Sequence, residues 1–328
     1  MVRGRRPLLR CLRLVGDALL LSELKIHMNS KRTYGLLGKN INYSLSPCMH
    51  NAAFKRFNIP AEYKLFDVEE KGLDSFFQER VRGGELKGFN VTVPYKMTIC
   101  DMLKLRENCF LDEMAGKLGT VNTVKIEENG LRGFNTDGKG FCEALSEEID
   151  PGFKALTGKK VLVLGAGGAS RAICFSLASS GAALREISVF DIDKAKLSSM
   201  VEFFEGCFGA DVLTGITEED IPRTLTESGL LINATPLGTR EGDPSPVRPD
   251  LLHENIMVYD LVYARETELL QAAKKRGLKA AGGLGMLVNQ AALAFDIWSV
   301  ENFYLGDIKE VMKKAAREEL KKRGKDQE

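Results

Sequence analysis

From Tyr34 onward the apolar residues fall in short runs separated by stretches of helical spacing. Residues 33–37 predict a strand, 47–57 a helix, 61–68 a second strand, 72–81 a helix and 86–93 a third strand. That alternation argues for an α/β domain with a largely parallel sheet. Residues 120–126 and 131–134, split by Glu127-Glu128-Asn129-Gly130, predict a hairpin, because Asn-Gly is a favoured two-residue turn. Asp137-Gly138-Lys139-Gly140 then leads into a helical pattern over 141–148 that serves as a connector. At 161–164 four apolar residues run straight into Gly165, and helical spacing resumes over 170–179. Strands at 187–190, 230–233 and 257–261, with helices between them, predict a second domain of the doubly wound, parallel-sheet kind. An apolar helix over 286–300 follows, then a charge-alternating helix over 308–325 that reads as solvated.

The third strand carries the most chemistry. In Gly88-Phe89-Asn90-Val91-Thr92-Val93-Pro94-Tyr95-Lys96, apolar Val91 and Val93 alternate with polar Asn90 and Thr92. Pro94 has no N–H for a ladder and biases Val93 towards an extended backbone, so the strand should stop there. Its end would present an amide, a hydroxyl and an ammonium, which suit a small polyhydroxylated ligand. Lys96 could also give up a proton.

A second motif follows the strand at 161–164. Gly165-Ala166-Gly167-Gly168-Ala169-Ser170 has the small residues that let a backbone approach a pyrophosphate at a helix N-terminus. Its context, strand before and helix after, is the one such a phosphate cradle requires. The next strand ends at Phe190, and Asp191 stands 23 residues after Gly168. An acid there accepts hydrogen bonds from the ribose hydroxyls of NAD and repels the 2′-phosphate of NADP. Asp193 adds to the repulsion, and no arginine occurs between Asp191 and Arg223, so NAD is favoured. Ser44-Leu45-Ser46-Pro47 reads as a helix start, with Ser46 as the cap and Pro47 as the first helical residue. Two hydroxyls at a helix N-terminus form a seat for a carboxylate.

Composition limits the classes of function. The 328 residues leave room for two domains, and a net charge of +1 gives no nucleic-acid or membrane footprint. Seven cysteines without a CxxC and three histidines without metal-ligand spacing point to no metal site and no disulfide framework. Free thiols fit a reducing, cytoplasmic setting. Residues 1–28 read as an extension ahead of the folded pattern. Their leucine-rich run is broken by Arg10, Arg13 and Asp17, which makes neither a membrane span nor a signal peptide.

Seven motifs occur here in one order: Ser-Leu-Ser-Pro (44–47), Asn-Val-Thr-Val-Pro-Tyr-Lys (90–96), Gly-Thr-Val-Asn-Thr (119–123), Asn-Thr-Asp-Gly (135–138), Gly-Ala-Gly-Gly-Ala (165–169), Asn-Ala-Thr-Pro-Leu-Gly (233–238) and Gly-Leu-Gly-Met-Leu-Val-Asn-Gln (283–290). Over roughly residues 34–303 the series closely resembles the shikimate dehydrogenase family, which includes the quinate/shikimate dehydrogenases. The resemblance implies a substrate-binding catalytic domain over 29–137 and an NAD(P)-binding Rossmann domain over 138–281. Helices over 282–328 would return to the first domain, with the active site in the cleft. It implies that Ser44 and Ser46 bind the substrate carboxylate and that Thr92, Lys96, Asn122 and Asp137 bind ring hydroxyls. Tyr263 and Gln290 match further substrate contacts, and Lys96 and Asp137 match the catalytic pair. Gly165, Ala166, Gly167, Gly168, Ala169, Leu261 and Gly283 match cofactor contacts. NADP-using members resemble one another in an Asn-Arg-Thr-type segment where this chain has Phe190-Asp191-Ile192-Asp193-Lys194, which looks like the NAD-accepting branch. The implied activity is reversible NAD(P)H-dependent reduction of 3-dehydroshikimate to shikimate, a step towards the aromatic amino acids. Quinate as main substrate and a catalytically silent shikimate- or quinate-binding relative are the alternatives. The partners would be small molecules only, with the chain a monomer or homodimer and no metal.

Overall fold

The structure is a computed structural model that describes residues 31–325; the expected N-terminal extension lies outside the described residues. Two six-stranded sheets organise the chain. The first half runs β1 (Arg32–Gly38), α1 (Ser46–Arg56), β2 (Ala61–Asp67), α2 (Leu73–Phe76, continued by a wider turn over Phe77–Val81) and β3 (Leu86–Val91). It goes on through α3 (Lys96–Lys104), β4 (Cys109–Leu111), α4 (Glu113–Leu118), β5 (Thr123–Glu127), β6 (Gly130–Phe134) and α5 (Asp137–Glu148). The second half contains β7 (Lys160–Leu164), α6 (Gly168–Ser179), β8 (Glu186–Phe190), α7 (Lys194–Phe208), β9 (Leu213–Gly215), α8 (Ile221–Glu227) and β10 (Ser228–Asn233). It ends with β11 (Met257–Asp260), α9 (Glu268–Lys275), β12 (Ala280–Gly282), α10 (Leu284–Trp298) and α11 (Leu305–Lys325).

The first sheet has the order β2-β1-β3-β5-β6-β4. It is mixed rather than largely parallel: β3 pairs antiparallel with β5, and β5 with β6. The hairpin is the reason, since a two-residue turn at Glu128-Asn129 can only join antiparallel strands. The first hairpin strand starts at Thr123, not at residue 120. Strand β3 ends at Val91, two residues before the predicted stop, which leaves Val93 66% exposed. Helix α3 and the short elements β4 and α4 fall where the sequence pattern predicts no element. The spacing for α3 is present all the same, with Ile99, Cys100 and Leu103 buried on one face.

The second sheet is parallel throughout, in the order β12-β11-β10-β7-β8-β9. The chain order reverses between β7 and β10, and in open α/β sheets ligands bind in the crevice at the carboxyl ends of that strand pair. Val161, Leu162, Val163 and Leu164 are buried on both faces, as a parallel sheet covered by helices requires.

After the second sheet the chain returns to the first. Helix α10 packs Val288, Ala291, Ala292 and Phe295 into the core of the first half, and Trp298 Nε1 donates to Val124 O at 3.0 Å. Helix α11 is not merely solvated. Ile308, Met312 and Ala316 recur every four residues and are fully buried in that same core. Leu305, Val311 and Leu320 flank that stripe, and charged residues dominate the remaining positions, which is why its composition reads as a solvated face. Among the described residues no helix is long and apolar enough to cross a membrane.

His50 is a buried feature of this core with a testable consequence. Its ring stacks on Tyr63 with centroids 4.3 Å apart, and neither ring nitrogen has a hydrogen-bond partner. Burial brings its pKa down to about 3. The unfolded chain binds that proton near pH 6.5, so between about pH 6.5 and 3 unfolding takes up a proton and stability falls as pH falls. Above pH 6.5 the contribution is fully present. In urea titrations at pH 7.5 and 5, His50→Phe should lose less stability than the parent over that interval, by about 1–2 kcal/mol. Equal losses in both proteins would show that His50 is not the responsible group.

Candidate active site

The two halves enclose a cavity of about 370 Å³. Its wall on the first half includes Ser44, Ser46, Asn90, Thr92, Lys96, Asn122 and Asp137. Tyr263, Gln290, Leu261, Gly283 and Ala169 face it from the second half and from α10. All eight residues expected to touch substrate therefore line one cavity. So do three of the eight expected to touch cofactor.

The centre is an ion pair. Lys96 Nζ lies 2.6 Å from Asp137 Oδ2, with the lysine side chain 18% and the aspartate side chain 6% exposed. Each residue opens a helix, Lys96 starting α3 and Asp137 starting α5. A helix N-terminus carries positive potential, which favours the carboxylate and favours any negative charge that develops beside the ammonium. An ammonium there gains nothing from its own helix, so the carboxylate opposite is what holds it. The helix predicted over 141–148 starts four residues earlier than expected, and the early start makes Asp137 its first residue.

A buried polar network fixes the pair. Asn122 Nδ2 donates to Asp137 Oδ1 at 2.8 Å and lies 2.9 Å from Thr136 Oγ1. Asn122 Oδ1 accepts from the Thr136 N–H at 2.9 Å and from the Thr123 hydroxyl at 3.0 Å. The Asp137 N–H donates to Asn135 Oδ1, whose amide in turn holds Thr120. A fully bonded network of this kind sets side-chain positions tightly. Sequence reasoning does not single out Asn135, Thr136 or Thr120. They lie inside the motifs already quoted, but nothing in the sequence distinguishes the residue that touches a ligand from the one that holds its neighbour.

Asn90 corrects the expectation that the strand end offers its amide to a ligand. Its Nδ2 donates to Asn122 O and Thr123 Oγ1, and its Oδ1 accepts from the Tyr63 hydroxyl at 2.7 Å. The amide is spent inside the protein, which leaves Thr92 and Lys96 as the donors of that strand end.

The serine pair also differs in detail from the sequence reading. Helix α1 begins with Ser46 itself, and Leu45 occupies the cap. Ser44 takes the capping role: its Oγ accepts from the Ser46 N–H at 3.2 Å and lies 3.2 Å from Ser46 Oγ. Pro47 follows with no N–H to satisfy. The two hydroxyls stay adjacent in the cavity wall beside Tyr263, whose hydroxyl burial pushes up to about 12. That hydroxyl remains a neutral donor at working pH.

On the other side of the cleft, β7 runs into Gly165, whose φ of +102° suits glycine. A Cβ there would also lie 2.8 Å from Ala234 O, on the neighbouring strand exit. Gly167 has no atom within 4 Å of where a Cβ would point, and no side chain caps α6, whose first residue is Gly168. The N–H groups of that first helical turn have no partners within the helix, so open space in front of them fits a phosphate. Gly283 is glycine for a packing reason, since a Cβ would lie 2.0 Å from Leu261 O. The residues thus fit a dinucleotide laid from Ala169 and Leu261 at the cavity towards the end of β8.

Asp191 stands at that end but does not line the cavity. Its Oδ2 accepts from the Ala166 N–H at 2.7 Å and its Oδ1 from the Asp193 N–H at 2.8 Å. The carboxylate ties the glycine turn to the end of β8. Each oxygen keeps a second lone pair free for a further donor. Asp193 caps α7 through the N–H groups of Ala195 and Lys196, and Lys196 pairs with it at 3.2 Å.

Comparison with known proteins places this geometry. Residues 36–124 match the family model described as shikimate dehydrogenase substrate binding domain. The shikimate dehydrogenase (NADP(+)) of Methanopyrus kandleri is 40% identical over 299 residues, spanning 88% of this chain and 95% of the relative. The crystal structure of shikimate 5-dehydrogenase from Thermus thermophilus, in complex with NADP(H) and shikimate, is 33% identical with a TM-score of 0.72, covering 87% of this chain and 99% of that one. Quinate dehydrogenase from Corynebacterium glutamicum, in complex with NAD, is 26% identical with a TM-score of 0.75, covering 86% and 98%.

Proposed function

The chain belongs to the shikimate dehydrogenase family, and on that footing we propose that it interconverts 3-dehydroshikimate and shikimate. The observation that carries this reading is the Lys96–Asp137 pair, 2.6 Å apart, set in a cavity whose other polar groups are hydroxyls and amides. When bound at Gly165–Ala169, a nicotinamide dinucleotide supplies the hydride. The rest falls to this chain's side chains. Ser44, Ser46 and Tyr263 hold the substrate carboxylate by neutral hydroxyl donors. Thr92, Asn122, Asp137 and Gln290 hold the ring hydroxyls and fix which carbon faces the cofactor. As the substrate carbonyl is reduced, Lys96 stabilises the charge growing on its oxygen, and the proton comes from Lys96 or is relayed through it. Asp137 keeps Lys96 in place and is itself held by Asn122.

Two details of this reading go further. The cofactor is NAD in preference to NADP, because Asp191 puts a carboxylate at the end of β8 and no arginine follows it before Arg223. The curated relative from Methanopyrus is named for NADP(+), so this chain would depart from it. Quinate is a second substrate, favoured by the small hydroxyls of Ser44 and Ser46 around the carboxylate. The deciding measurement is kcat/KM for shikimate and quinate, each with NAD and NADP. Turnover of shikimate with NAD should be the fastest of the four. No turnover in any combination would leave a binding protein, against which the intact ion pair speaks.

A further inference from the structure

The hydroxyl-only carboxylate seat lacks a counter-charge of its own. Among the described residues lining the cavity the only cation is Lys96, and Asp137 already neutralises it. An anionic ligand would therefore enter a cavity with no net positive charge. A guanidinium stands behind the seat, on the last helix, paired with an acid on one side and with the seat's backbone on the other.

Helix α11 is braced along its length. Besides its buried stripe, Lys309 Nζ bonds Glu143 at 2.6 Å and Glu147 at 2.9 Å, and Lys313 bonds Glu148 at 3.1 Å. All three acids belong to α5, the helix that begins with Asp137. From this anchored base the helix extends to the loop before α1. There Arg323 donates from one terminal nitrogen to Tyr43 O at 2.5 Å and from the other to Ser44 O at 3.5 Å. Its Nε donates to Glu319 Oε1, one turn back, at 3.1 Å. Tyr43 and Ser44 line the cavity and Arg323 does not, and the carbonyls of both are taken up by its guanidinium. The charge of Arg323 also bears on the Tyr263 hydroxyl and opposes the rise that burial gives it.

We propose that Arg323 is a positioning residue for the substrate carboxylate. Its guanidinium, paired with Glu319 on the Nε side, directs both terminal nitrogens at the Tyr43 and Ser44 carbonyls, holds those carbonyls, and brings positive potential to the back of the hydroxyl seat. Two oxygens that would repel a carboxylate are thereby taken up, and Ser44 Oγ is fixed beside Ser46. The inference rests on a carboxylate being bound at this seat.

The test combines calorimetric titration of shikimate with steady-state kinetics on the full chain and on Arg323→Gln and Arg323→Lys. Arg323→Gln should weaken shikimate binding and raise its KM about fivefold, the scale of one partly exposed charge. Its kcat, its cofactor KM and its melting temperature should stay near those of the parent. Arg323→Lys should recover part of the loss, because it keeps the charge but not the two-pronged contact. Added salt should weaken shikimate binding more in the parent than in Arg323→Gln. Unchanged binding in Arg323→Gln, or an equal fall in kcat and cofactor affinity, would overturn the proposal. A parent protein that binds shikimate more tightly than Arg323→Gln, yet turns nothing over, would sustain it and strike the proposed activity instead. A parent that binds no shikimate would overturn it.

Discussion

In Lys96→Ala, kcat should fall by about a hundred- to ten-thousand-fold, while KM for shikimate rises far less. The asymmetry follows from where the lysine acts. Its ammonium meets a neutral carbonyl or hydroxyl oxygen in the ground state and a charged oxygen only as hydride is transferred, so its interaction is strongest in the transition state. Removal also leaves the Asp137 carboxylate, 6% exposed, without its cation. An unpaired buried charge is costly, so a modest drop in melting temperature should accompany the loss of rate. Lys96→Arg separates the two ways in which the lysine could act. Guanidinium keeps the charge and yields no proton in the working range. Substantial recovery by arginine would assign Lys96 an electrostatic role alone, whereas a kcat as low as that of alanine would assign it the proton as well. A change confined to KM would mean that Lys96 only binds substrate, and the proposed mechanism would fail.

The parts of this site that are legible in the sequence are those written in local chemistry. A strand that runs into glycine, a serine pair before a proline and an acid after the next strand each constrain a few consecutive residues; the strand, turn and helix start form there, although Leu45 rather than Ser46 takes the cap. Less legible is the division of labour among neighbours. Asn90 and Asn122 are both buried asparagines in the same polar network, yet one spends its whole amide away from the ion pair and the other holds the Asp137 carboxylate. The difference depends on which side chains lie across the sheet from each, which is long-range information. Helix α3 escapes a reading of the pattern because Pro94 reads as the end of a strand, although proline is just as common near the start of a helix. Helix α11 hides its role for another reason. A narrow stripe of Ile308, Met312 and Ala316, flanked by Leu305, Val311 and Leu320, is enough to seat one face, and the charges around it dominate any averaged reading. Arg323 is beyond sequence reasoning altogether, since it meets Ser44 from 279 residues away.

If the end of β8 sets cofactor choice as proposed, the expected result is a higher kcat/KM with NAD than with NADP. The Asp191 carboxylate accepts the Ala166 and Asp193 N–H groups, which holds its charge in place beside the glycine turn. A 2′-phosphate brought there meets that charge, with the Asp193–Lys196 pair beside it contributing little either way, whereas ribose hydroxyls meet free lone pairs. The fixed position matters, because a mobile carboxylate could swing away from the phosphate at little cost. Ile192, next in the chain, is 88% exposed and makes no use of its place. In Asp191→Asn with Ile192→Arg, that repulsion is gone and a guanidinium is free to pair with the 2′-phosphate. Asparagine retains an acceptor for one of the two backbone N–H groups and loses the other, so some loosening of the glycine turn should lower kcat/KM with both cofactors. Their ratio cancels that shared loss. It should move towards NADP by at least about tenfold, or roughly 1.4 kcal/mol of differential binding. Asp191→Asn alone should move it part of the way, and the remainder measures the arginine. If the unmutated enzyme already prefers NADP strongly, the phosphate has found a cation that outweighs the Asp191 carboxylate. Lys194 is then the residue to replace, since Lys196 is paired with Asp193.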